Sequence, residues 1–150
     1  MINEEVGAGG NFKIYVNGKL DADINNRLMN TVLDKIVNCY LGTAPDLQIK
    51  YLALGTGNTA ITNTDTTLDT EIFRTPITTQ SNTGTGVVQT EFIVLDSEAV
   101  GNLEEVGIYG GASATAAADS GILLSRILWS KVKTNSEELN IVRTETISRA

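Results

Sequence analysis

Beyond residue 42 the apolar residues come in short alternating runs, and stretches rich in glycine and threonine separate those runs. Leu47, Ile49 and Tyr51 alternate, then Leu52 to Leu54 are continuous; 71–79 holds Ile72, Phe73 and Ile77. Val88, Phe92 and Val94 share one face of 87–95, and Val106 and Ile108 are in register within 103–109. Residues 122–132 are apolar around Leu124, Leu128 and Trp129, and Leu139, Ile141 and Ile147 mark a last segment with Arg143 and Glu145 between them. A period of two belongs to a strand with one buried face. Such strands following one another without helices between them predict an antiparallel β-sandwich. Pro76 places its strand at an edge or a bend. The loops are expected at 55–68, 80–86 and 110–121.

The first forty residues read differently. Gly7, Gly9 and Gly10 beside Glu4 and Glu5 predict a flexible arm over 1–11, ahead of a single domain over 12–150. Phe12, Ile14 and Val16 alternate with Lys13 and Tyr15, and Asn17-Gly18 is a strong hairpin turn. Ile24, Leu28, Val32, Ile36 and Tyr40 then recur every fourth residue, with Met29, Leu33 and Val37 widening the stripe. That spacing predicts a helix over 22–41, capped by Asp21 or Asp23 and ended by Gly42, with Pro45 beyond. The fold class expected is mainly β (α+β): a sandwich carrying one N-terminal helix.

Charge narrows the function. The formal charge is −7 and histidine is absent. An acidic surface repels phosphates, so nucleic acid is not an expected partner. Without histidine the chain lacks the usual general base near neutral pH and the commonest metal ligand. Cys39 is the only cysteine, so no intrachain disulfide forms. No apolar run is long enough to span a bilayer, and Met1 to Val6 has no signal-peptide character. The chain is expected to be made in the cytoplasm of its producer, away from membranes.

Candidate chemistry is sparse. Gly55-Thr56-Gly57 follows an apolar strand but lacks the Lys-Ser/Thr ending and the helix of a phosphate loop. Asp65 and Asp69, with Glu71 nearby, offer loop oxygens of the kind that hold calcium, without a calcium-loop spacing. They read instead as turn-forming side chains. Glu104 and Glu105 are adjacent on a strand and so point to opposite faces. One is expected in solvent, the other paired with Arg126 or Arg143. No serine sits in Gly-x-Ser-x-Gly. No enzyme, metal or cofactor is expected.

Three blocks in order carry a resemblance: Tyr51-Leu52-Ala53-Leu54-Gly55-Thr56-Gly57 with Glu71-Ile72-Phe73-Arg74; Leu103-Glu104-Glu105-Val106-Gly107-Ile108-Tyr109; and Gly121-Ile122-Leu123-Leu124-Ser125-Arg126. Their order resembles small bacteriophage structural proteins and the N-terminal attachment domain of phage tail-collar fibres. The resemblance implies a virion protein without catalysis, assembled in the bacterial host cytoplasm. It would be a tail, baseplate or fibre-attachment component that works as an oligomer with copies of itself and other virion proteins. Collar fibres continue into a shaft, whereas this chain stops at Ala150, so receptor recognition by this chain is not implied. A head decoration or head-fibre protein is the alternative. A carbohydrate-binding module meeting a cell-surface glycan is another, with few aromatic residues to support it. Interface residues are expected at Glu104, Tyr109, Gly110, Gly111, Arg126 and Trp129.

Overall fold

The computed structural model describes residues 6–43 and 46–149. Among the described residues nine strands and one helix follow one another: β1 (Val6–Val16), β2 (Lys19–Asn26), α1 (Asn30–Leu41), β3 (Ile49–Gly55), β4 (Glu71–Pro76), β5 (Thr79–Gly84), β6 (Val87–Val94), β7 (Gly101–Gly110), β8 (Ile122–Lys133) and β9 (Leu139–Arg149). They form two antiparallel sheets in the orders β2-β1-β9-β6-β5 and β4-β3-β7-β8. The architecture is a β-sandwich with one helix, as the strand periodicity predicts.

The core lies between the sheets. Phe12, Ile14, Phe92, Val94, Leu139 and Ile141 come from the five-stranded sheet; Leu52, Leu54, Val106, Ile108 and Ile127 come from the other. Register explains the second set: Leu52 pairs with Ile108 and Leu54 with Val106, which pairs with Ile127, so one face of three strands is aliphatic. One corner is closed by the chain itself. β4 leaves the four-stranded sheet at Pro76 and enters the other sheet as β5 after two residues. At that corner the Ile77 amide donates to the Lys50 carbonyl and the Thr78 amide to the Glu91 carbonyl, so each sheet holds one of them.

Three segments depart from the sequence expectations. Residues 6–11 are not an arm: they are the first half of β1, paired with β9 from Val6 opposite Arg149 to Val16 opposite Leu139. Gly10 suits a packed strand, because a side chain at that position would collide with the Arg143 guanidinium. Residues 1–5 of the expected arm lie outside the described residues.

The helix begins at Asn30, not at 22. Residues 19–26 form β2 instead, because the Asn17-Gly18 turn, with φ of 48° and 80°, folds them back on β1 and sets Ile24 opposite Phe12. A spacing of four residues fits a strand's period of two as well as a helix's turn, so Ile24 and Leu28 satisfied both patterns. Asp21 and Asp23 therefore cap nothing; Asp21 instead accepts the indole N–H of Trp129 at 2.9 Å. Gly42 does end the helix, in the left-handed conformation. The third departure is β5, expected as a loop. Thr79–Gly84 has no apolar alternation and is a strand because the corner delivers it alongside β6.

The helix lies against β8 and is pinned where it starts: the Met29 amide donates to the Leu124 carbonyl and the Asn30 amide to the Asn63 carbonyl. Met29 and Val32 are buried, whereas Leu33, Val37, Tyr40 and Leu41 face outward. Met29→Ala is expected to cost about 2–5 kcal/mol in denaturant unfolding. Tyr40→Ala, 89 % exposed, should stay within about 0.5 kcal/mol. Comparable losses would mean that the outward helix face is also packed.

Candidate functional site

The face of the four-stranded sheet turned away from the core carries a dense cluster of polar side chains. Gly55 and Gly107 lie on this face, and across it folds the segment 56–70 that joins β3 to β4. A side chain at 55 would collide with Glu105, at 57 with Asp69, and at 107 with Leu68. The glycines of Leu54-Gly55-Thr56-Gly57 thus make room for the returning loop, which is a packing role and not a phosphate-binding one.

Glu105 and Arg126 fasten that loop. The buried Glu105 carboxylate accepts the amides of Gly57 at 3.0 Å, Asp69 at 3.0 Å and Thr70 at 2.8 Å, and the Arg126 Nε–H at 2.9 Å. The guanidinium continues outward to Asp65 at 3.1 Å, Asp69 at 3.0 Å and the Thr59 carbonyl at 3.2 Å. All three guanidinium nitrogens are used. Three carboxylates share one cation, and amides and hydroxyls meet the excess negative charge: Thr62 serves Asp65, and Thr59 serves Asp69.

The electrostatics follow. Burial pushes the Arg126 guanidinium down, but Glu105, Asp69 and Asp65 outweigh it and hold it above its usual value. Burial raises the Asp65 carboxyl, and the Thr62 hydroxyl and amide together with Arg126 bring it below the usual range. The Thr59 hydroxyl and amide depress Asp69 against a smaller effect of burial, with Arg126 adding its charge.

A second fastening stands beside the first. The Arg74 guanidinium lies over the Tyr109 ring, 4.2 Å from its centroid, and closes a double hydrogen bond with Glu71 at 2.7 and 2.9 Å. Its remaining nitrogen reaches the carbonyls of Thr115 at 3.0 Å and Ser120 at 2.9 Å, which ties down the loop between β7 and β8. The Tyr109 hydroxyl accepts the Leu68 amide at 2.8 Å and so links the two loops. Burial raises this phenol to about 12.

Most of the expected interface residues belong to this interior. Tyr109, Arg126 and Trp129 bury their side chains against this chain, and Gly110 and Gly111 are buried glycines. Glu104 is half-buried on the opposite face from Glu105 and accepts from Asn102 and Ser130 at 3.2 Å. Glu105 takes Arg126 of the two arginines offered; Arg143 pairs with Glu145 at 2.6 Å. Asp65 and Asp69 turn to the guanidinium. The sequence reading missed the role of Arg74, whose only signal was its place at the end of the Glu71–Arg74 block.

An apolar cavity of about 290 Å³ lies under the helix, lined by Leu28, Val32 and Ile36 from one side and by Val88, Leu124 and Ile147 from the sheets. Among the described residues no helix is long and apolar enough to cross a membrane. No family model, curated protein or solved structure matches the chain.

Arg126→Met is expected to destabilise the fold by about 3–5 kcal/mol, because Glu105 remains buried without its cation. Acid should loosen the same loop. Asp65 and Asp69 have folded values below their ordinary 3.8, so their contribution is complete above that pH and is lost as pH falls through the folded values. The acid limb of the urea midpoint should flatten in the Asp65→Asn/Asp69→Asn variant; an unchanged limb would place the acid sensitivity elsewhere.

Proposed function

We propose that this protein is a non-enzymatic structural component of a bacteriophage particle, of the tail, baseplate or fibre-attachment type, acting by assembly with further copies and other virion proteins. One observation carries the reading. The three sequence blocks that resemble the phage proteins meet at one place: Gly55, Gly57, Glu71 and Arg74 from the first, Glu105, Gly107 and Tyr109 from the second, and Arg126 from the third. Their shared task is to hold two long loops rigidly on a sheet. A particle component needs that stiffness, since it must present one shape to every neighbour.

The ionisable groups of this cluster are directed at one another, at hydroxyls and at the backbone of the loops, which suits a scaffold. The aromatic residues Tyr109 and Trp129 are buried, so they offer no platform on which a sugar ring would stack. Immunogold labelling of purified particles with an antibody to this chain is expected to mark the tail. Label on the head would move the reading to a decoration protein, and absence from particles would overturn it.

A further inference from the structure

A two-sheet sandwich has four edge strands, and natural proteins protect such edges with charges, proline or covering segments. Three edges here are protected in those ways. β8 gives its Leu124 carbonyl to the Met29 amide and is flanked by the helix. β4 ends in Pro76, and its Glu71 and Arg74 side chains engage the 115–120 loop. β2 carries Lys19, Asp21 and Asp23. β5 has no charge, no proline and no covering segment: every residue of Thr79–Gly84 is exposed, and its one irregularity lies at its end, between Asn82 and Gly84.

β5 is nonetheless held in place. Gln80 donates to the buried Thr90 hydroxyl at 2.9 Å, and the Thr79 hydroxyl donates to Glu91 at 3.3 Å, so the strand is anchored to β6. Apart from Glu91, opposite Thr79 at its start, the strand and the chain on either side of it are uncharged. No Asp, Glu, Lys or Arg occurs from Thr75 to Thr90, in a chain whose formal charge is −7. Two such acidic chains repel over most of their surface, and this strip is where they approach at least electrostatic cost.

We propose that β5 is a self-association edge: it pairs antiparallel with β5 of a second copy about a two-fold axis, joining two five-stranded sheets into one. The choice of a second copy as occupant rests on the assembly reading above. Antiparallel self-pairing sets Thr, Gln, Ser and Asn opposite one another with no like charges facing. A six-residue seam is smaller than the roughly 800 Å² per partner of a stable interface. The dimer in free solution is therefore weak and concentration-dependent, and it is strengthened where a larger assembly holds copies close together.

The test is sedimentation velocity over a concentration series, comparing the wild type with Ser81→Lys/Thr83→Lys, and with Ser81→Glu as a second variant should the lysine pair melt early. Hydrogen exchange at β5 is followed at both ends of the series. The wild type is expected to move towards dimer with rising concentration while β5 amides gain protection, and the variants to associate at least about tenfold more weakly. Wild-type dimers that persist in folded variants, or protection gained elsewhere, would overturn the β5 seam and leave the assembly reading standing. A wild type that stays monomeric throughout would also overturn the seam; immunogold detection on particles then decides the virion reading separately.

Discussion

The bond between Glu105 and Arg126 is the contact on which the outer half of the molecule depends. Neither charge would be tolerated in a dry interior alone, since desolvating a single ion costs several kcal/mol. Together they remain affordable only because the loop 56–70 supplies three amides to the carboxylate and two further carboxylates to the guanidinium. The dependence runs both ways. The loop is rich in threonine, with asparagine and aspartate, and has little apolar surface of its own to bury, so its order derives from the ions it covers. Leu68, buried against Gly107, is its main apolar anchor.

The neighbouring Arg74 uses a different physical principle for the same end. Its guanidinium combines a flat aromatic contact, a two-point carboxylate pair and carbonyl acceptors, which a lysine could not reproduce in one geometry. The Tyr109 hydroxyl bonded to Leu68 couples the two arginine centres. The result is a sheet whose two faces are both covered, one by the partner sheet and one by loops. That explains why β7 and much of β8 are buried on both sides although β8 is an edge strand.

The legible parts of the fold were those where one period stood alone. Val88, Phe92 and Val94, or Leu139 and Ile141, alternate without a competing pattern, and they are core strands. Ile24 and Leu28 obeyed two periods at once, and the Asn17-Gly18 hairpin, itself legible in the sequence, decided between them by pairing Ile24 with Phe12. β5 was illegible because nothing in Thr79–Gly84 prefers a strand apart from the partner it meets. At the site, alternation along a strand showed that Glu104 and Glu105 point to opposite faces and that one of them would meet an arginine, but not which one. The convergence of Asp65 and Asp69 on the same cation was not legible, because loop conformation is set by the partners themselves. Tyr109 and Arg126, expected at an interface, are covered for a related reason: the loop that lies over them looks in sequence like a free one.

The pairing of the first and last strands has a mechanical meaning. Val6 lies opposite Arg149, so the two ends of the described chain sit side by side at one end of an antiparallel ladder. The hydrogen bonds of such a ladder run across the strands. A force pulling these two ends apart therefore loads the bonds one at a time, opening β1 from β9 like a zip. A force applied along the strands, between opposite ends of the sandwich, loads many bonds together in shear. The same scaffold is compliant in one direction and stiff in the other, and the points at which a neighbour grips it determine which response is felt.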